Sequence, residues 1–311
     1  MKIYVGVTDY AWYSVLSTSG CDEVNFWRPG AGTTFKALEP NDMFLFKLHK
    51  PQDFIVGGGF FIRYSVLPSY LAWDAFGVKN GAMSLIELNR SVGKYRSNNP
   101  MKDVDIVIGC IILTEPFFFK ESSWIPIPKD WSGSIVQGKT YDEGNPYYSS
   151  LISQVQERLM CALPHRDSST MISFENDSPR YAIGTTHHRL GQGGFRISVI
   201  DAYNRRCAIT GEKSLPVLEA AHIRPYSFDG PHLISNGLLL RSDFHHLFDK
   251  GYVTVTPDHI IEVSRRLNQD FGNGKIYYAH HGKKLIVTPD AVSDGPASQF
   301  LQWHNEQVYL G

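Results

Sequence analysis

The stretch AHIRPYSFDGPHLISNGLLLRSDFHHLFDKG, residues 221–251, decides the reading of this chain. His222 ends the apolar run LPVLEAA, Asn236 follows it by fourteen positions, and His245 follows Asn236 by nine. Gly230-Pro231 is a loop signal, Leu238 to Leu240 reads as a short buried strand, and Ser242 suits a helix N-cap. The expected local order is strand, loop, strand, helix, with one histidine on the first strand and another on the helix.

That ordered His, Asn, His spacing resembles the HNH nuclease family. The resemblance implies a ββα-metal finger that hydrolyses phosphodiesters with the help of one divalent cation. It implies His222 as general base, because an imidazole titrating near neutrality can take a proton from water. His245 matches the metal ligand on the helix. Asn236 matches the residue that pins the loop and orients the base through its amide. Many relatives carry Asp or His before the first histidine as second metal ligand, whereas here that residue is Ala221. The metal set is therefore read as His245 with Asp243 or Asp249, and Glu219 and His246 lie near enough in sequence to approach. Mg²⁺ is the expected ion, with Mn²⁺ the other choice.

Working outward, the 311 residues suffice for two ordinary domains. The four cysteines, Cys21, Cys110, Cys161 and Cys207, form no C-x-x-C pair, so neither a disulfide framework nor a structural zinc is expected. No apolar stretch reaches the length of a bilayer span, and a cytoplasmic protein without membrane attachment is expected. Thirty basic against 31 acidic residues give no global field for nucleic acid. The distribution is uneven, however. Ten of the twelve histidines follow residue 170, and Arg180 to Lys213 carries six basic against two acidic residues. Arg189, Arg196, Arg205, Arg206, Arg224 and Lys139 are the candidate contacts to DNA phosphates, with Arg265, Arg266, Lys275, Lys283 and Lys284 downstream.

The fold class is α+β, divided into a recognition domain over 1–161, a linker over 162–188 and the endonuclease domain over 189–311. The first part predicts strands at residues 2–8, 43–48, 54–62 and 104–113, and helices at 67–77, 84–95 and 147–160. Gly57-Gly58-Gly59 opens no nucleotide-binding motif and reads as a bulge or a close backbone approach. The order IYVGVTDYAWYSVL, EVNFWRPGAGTTFKALEPNDMFLFKL, FIVGGGFF is similar to the EVE branch of PUA-like domains. That likeness implies a small β-barrel that flips a modified base, a cytosine derivative, out of double-stranded DNA and holds it between aromatic walls. Asp9, Tyr10, Trp12, Asn25, Phe26 and Trp27 are the pocket candidates, set against core packing as the ordinary fate of an aromatic residue. A restriction activity directed at modified DNA follows from the two resemblances together. A homodimer would let two fingers cut two strands. The alternatives are a nuclease whose first domain binds protein or RNA, and a DNA-binding protein whose finger is inactivated by Ala221.

Overall fold

The computed structural model describes residues 1–96, 106–162 and 190–311, and the chain divides into two compact units, Met1–Arg189 and Leu190–Gly311. The expected linker lies outside the described residues apart from Ala162, which closes a helix; Arg189 lies outside them as well. Among the described residues no helix is long and apolar enough to cross a membrane.

The first unit is built on one mixed sheet. Its strands are β1 (Ile3–Thr8), β2 (Glu23–Arg28), β3 (Met43–Leu48), β4 (Phe54–Pro68), β5 (Val107–Phe118), β6 (Ile125–Pro126) and β7 (Gly138–Tyr141). Among the described residues α1 (Tyr10–Ser17), α2 (Ser69–Phe76), α3 (Leu85–Lys94) and α4 (Tyr148–Ala162) accompany them. The sheet runs β2-β5-β4-β3-β1-β7, with β6 added to β4, and every pairing is antiparallel except β1 with β3. MFLFKL is apolar at nearly every position because both faces of β3 are covered. Met43 and Leu45 join Leu151 and Val155 of α4 on one side, while Phe44, Phe46 and Leu48 join Trp12 and Leu16 of α1 on the other. Each buried phenylalanine contributes about 1.5–3 kcal/mol of transfer free energy.

The expected barrel does not close. Among the described strands β2 and β7 end the path and do not pair. β7 is four residues long and spends its ladder on Ile3 to Gly6, so the gap is spanned by side chains, where Arg28 donates to Gln137 Oε1 at 2.6 Å. The glycine run bulges as its sequence suggests. The register shifts between Gly58 and Phe60, and a Cβ on Gly57 would stand 2.2 Å from the carbonyl oxygen of Phe117.

The second unit holds α5 (Gln192–Ala202), the hairpin β8 (Leu218–His222) and β9 (Gly237–Arg241), and α6 (Ser242–Asp249). A second hairpin, β10 (Val253–Val255) and β11 (Ile261–Val263), is followed by α7 (Arg266–Phe271), α8 (Lys275–Tyr278) and α9 (Ser298–Gln307). In the first hairpin His222 stands opposite Gly237 and Leu218 opposite Arg241. The Asn-Gly step has a packing reason, since a Cβ on Gly237 would meet Val199 Cγ2 at 2.5 Å and Phe195 Cζ at 3.0 Å. Only hydrogen lets α5 lie this close to β9. Tyr203, fully buried, donates its hydroxyl to the Gly237 carbonyl at 3.1 Å.

Candidate active site and base pocket

His222 is the last residue of β8, and its ring lies flat on Phe195 of α5, with centroids 3.8 Å apart and planes 14° from parallel. Burial holds the imidazole pKa down to about 4, helped by the neighbouring His232 and His245. The ring is therefore neutral at physiological pH, the state in which it can accept a proton.

The loop after His222 is closed by one amide. Asn236 is fully buried; its Oδ1 accepts from Arg224 N at 2.9 Å, and its Nδ2 donates to the carbonyls of Arg224 and Pro231, each at 2.9 Å. All three bonds are local to the loop, so the amide fixes where the chain leaves β8 and where it returns. Gly230 tightens the same closure. Its N–H donates to Pro225 O at 3.1 Å, and a Cβ there would lie 1.8 Å from the Arg224 carbonyl oxygen. The loop so shaped delivers His232, whose Nδ1 is 2.9 Å from His222 Nε2.

His245, on α6, turns both ring nitrogens toward carboxylates. Nδ1 is 2.5 Å from Glu219 Oε2, and Nε2 is 3.3 Å from Asp249 Oδ2. Asp249 lies one helical turn after His245, on the same face. Asp243, expected beside it, is two residues before His245 and so points elsewhere. Its carboxylate instead holds the guanidinium of Arg241 in a two-toothed pair, 2.7 Å at each oxygen, and Arg241 keeps its pKa low. Ser242 is the first residue of α6 rather than its cap, a position taken by Arg241, and Asp243 Oδ1 accepts from Phe244 N at 2.9 Å. Among the described residues no group of three or more ligating side chains is gathered for a metal. Only one ring nitrogen can ligate a given ion, so a hard cation here would take His245 with one flanking carboxylate, Glu219 at Nδ1 or Asp249 at Nε2, and keep several waters. Cys207 Sγ is buried and accepts from Thr210 N at 3.4 Å and Arg241 N at 3.3 Å, so the turn that opens the finger is held by backbone donors.

The candidate phosphate contacts are mixed. Lys139 is bound to Asp130 at 2.6 Å, and Arg205 to Asp201 at 3.4 Å. Arg224 donates from Nε to Phe228 O at 2.6 Å and lies over the Trp303 ring. Arg206 has a buried Nε without a hydrogen-bond acceptor among the described residues, and Arg196 is half-buried on α5.

In the first unit a cavity of about 380 Å³ lies by the β2 and β7 edges, its wall combining the aromatic rings of Tyr4, Trp12, Phe26, Trp27, His49 and Tyr95 with aliphatic and polar side chains. That is the size range of small-molecule pockets. Four of the six expected residues line it: Asp9, Trp12, Phe26 and Trp27. Asp9 caps α1 through Trp12 N at 2.8 Å, and its other oxygen accepts from Tyr95 at 3.4 Å. Trp12 is nearly buried, with Gly81 pressed on its ring at φ +71°, where a Cβ would be 2.1 Å from Cδ1. Tyr10 instead stands out on α1, 53% exposed. Asn25 is buried away from the cavity, its amide donating to Asn80 Oδ1 at 2.9 Å and Cys110 Sγ at 3.4 Å. The sequence reading omitted His49 and Tyr95, which stack 6.2 Å apart on the cavity wall, and Arg28 and Gln137, which bridge its mouth. No local motif marks His49 or Tyr95, because β3 and α3 bring them together from distant positions.

No curated protein matches the chain. A solved structure described as a modification-dependent TagI restriction endonuclease is similar at 12% identity over 97% of this chain and 81% of that one, with a TM-score of 0.27. A family model described as HNH endonuclease matches residues 207–256, from the Cys207 turn through β10. The second unit thus carries an HNH endonuclease domain.

Proposed function

We propose that this protein is a divalent-metal-dependent DNA endonuclease that reads a modified cytosine with its first unit and hydrolyses phosphodiesters with its second. The observation that carries the reading is His222, stacked on Phe195 at the end of β8, where it opens a loop clamped by Asn236. His222 takes a proton from water, the water oxygen bonds to phosphorus, and the bond to the 3′ oxygen breaks, that oxygen gaining a proton from solvent. His245 with Asp249, one helical turn away on the same face, would hold the cation, whose contribution when bound is to offset charge on the phosphate and the departing oxygen. Arg196 and Arg224 are the candidates for phosphate contact beside the finger.

The first unit is read as a PUA-like module of the EVE branch opened at one seam, with its aromatic cavity as the seat of an extruded base. Trp27, Tyr95 and His49 supply stacking faces, and the carboxylate of Asp9 supplies an acceptor for an exocyclic amino group. One finger cuts one strand, so a double-strand break takes two protomers or two successive nicks. Light scattering under cleavage conditions distinguishes a dimer from a 35.1 kDa monomer.

The test is incubation with Mg²⁺ or Mn²⁺ and matched duplexes containing cytosine, 5-methylcytosine, 5-hydroxymethylcytosine or glucosylated cytosine, with His222→Ala as control. Cutting confined to modified duplexes and abolished by the substitution is expected. Equal cutting of all four removes the base-reading half; no cutting with any of them removes the reading as a whole.

A further inference from the structure

The loop between β8 and β9 is tied at several points, and a number of its contacts meet at His232. Asn236 Nδ2 grips the carbonyl of Pro231, the residue immediately before His232. Gly230 is packed against the Arg224 carbonyl so closely that no side chain fits. Tyr226, from the 3₁₀ turn Tyr226–Phe228, stacks on the His232 ring with centroids 5.1 Å apart and planes 5° from parallel. Phe195, which carries the His222 ring, reaches His232 as well, at 5.7 Å. Between the two imidazoles lies a 2.9 Å contact from His222 Nε2 to His232 Nδ1.

We infer that His232 is a positioning residue for the base: it accepts a hydrogen bond from His222 Nε2–H and thereby leaves the His222 Nδ1 lone pair bare for the water proton. The inference rests on the reading of His222 as general base. One proton must lie between two facing ring nitrogens of a neutral pair, and whichever ring holds it has its tautomer fixed. If His222 holds it on Nε2, its Nδ1 is the acceptor. After Nδ1 takes the water proton, the resulting imidazolium still donates Nε2–H to His232, a charge-assisted bond stronger than the neutral one it replaces. In the opposite assignment His232 donates, His222 carries its proton on Nδ1, and the base has no lone pair to offer.

This makes Asn236 indirect in its effect. Its amide touches neither imidazole; it holds the two loop ends whose separation sets the contact between them.

The experiment uses the full chain, with His232→Ala and His232→Asn beside the wild type, and has two arms. In the first, long-range ¹⁵N–¹H correlation of the His222 ring is recorded without metal or DNA, so no cleavage is needed. The wild type is expected to show a protonated Nε2 and a bare Nδ1, and His232→Ala to show a mixture of tautomers. In the second, single-turnover and steady-state cleavage are compared. His232→Ala is expected to lower kcat roughly 10- to 100-fold with KM within about twofold, as removal of an orienting partner commonly does. His232→Asn, whose Oδ1 can take the place of the imidazole Nδ1, is expected to recover most of the loss. A wild-type His222 protonated on Nδ1, a tautomer unchanged in His232→Ala, or an Asn variant no better than Ala would each overturn the inference. A wild type that cuts no DNA would remove the base reading instead, and the nitrogen signals would still decide what His232 does to the His222 ring.

Discussion

Replacing Asn236 by alanine removes the side chain that, among the described residues, alone ties Arg224 to Pro231 across the loop mouth, and the cost follows from the three bonds it makes. The side chain is fully buried, so water does not replace it. Arg224 N loses its acceptor, and two carbonyls lose a donor. Each orphaned buried group costs about 1–3 kcal/mol, and carbonyls with a second lone pair cost least. A loss of about 3–6 kcal/mol is expected, a large share of the stability of any single domain. With a urea dependence of about 2 kcal/mol per molar, the unfolding midpoint of the second unit falls by about 2 M. Hydrogen exchange in rising urea, read on peptides between residues 207 and 256, isolates that unit from the first. A midpoint within about 0.5 M of wild type would refute the argument, since it would mean that the three bonds carry little net free energy. Asn236→Asp is expected to do no better: it keeps the acceptor for Arg224 N but sets a buried carboxylate oxygen against two carbonyls.

Three further outcomes follow from the geometry. His304 is 2% exposed, stacked on Phe248 and bonded to Thr254 Oγ1 and the Phe248 carbonyl, and burial holds its pKa to about 4 against 6.5 when free. Between those values the unfolded chain binds the proton and the folded one does not. Stability should therefore fall as pH drops from about 7, with His304 contributing about 2 kcal/mol of the loss at pH 5 beside a like share from His222, and level off below about 4. Urea midpoints at pH 7 and 5 that coincide would contradict this. Asp243→Asn is expected to leave metal-dependent cleavage within a few-fold of wild type, because Asp243 serves Arg241, whereas Asp249→Asn should raise the Mg²⁺ concentration needed for half-maximal rate by 10-fold or more; titration of the ion with each variant reads both. Trp27→Ala should weaken binding of a modified duplex by roughly 10- to 100-fold, the worth of about 1–3 kcal/mol of base stacking, while leaving an unmodified duplex unaffected in a gel-shift titration.

The finger was legible because its chemistry is concentrated in consecutive residues. His222, Asn236 and His245 fall on strand end, loop end and helix, where the spacing of turn and apolar residues set them. The carboxylate beside His245 was open to choice from sequence, since Asp243 and Asp249 both lie near it, and helical phase separates them. His232 carried a faint signal, a histidine directly after Gly230-Pro231. Its contact with His222 depends on the loop closing on itself, which spacing does not reveal. In the first unit the strands of continuous apolar sequence were evident, but β2 was masked by its polar and aromatic content, and β4 and β5 run well beyond their apolar cores. Closure of the sheet was not readable at all, because it depends on whether two distant edges meet.

The bed of Phe195 beneath the His222 ring bears on how portable this nuclease is. Phe195, Val199 and Tyr203 all precede the stretch that the family model matches, and His304, packed on Phe248 of α6, follows it by nearly fifty positions. The recognisable motif is thus shorter than the object that folds. A graft cut at residues 207 and 256 would carry His222, His232, Asn236 and His245 and leave behind Phe195, Val199, Tyr203 and His304, on which they and α6 pack. The transferable cassette begins upstream of α5 and runs through α9, and fusions to other recognition modules should be joined outside those limits.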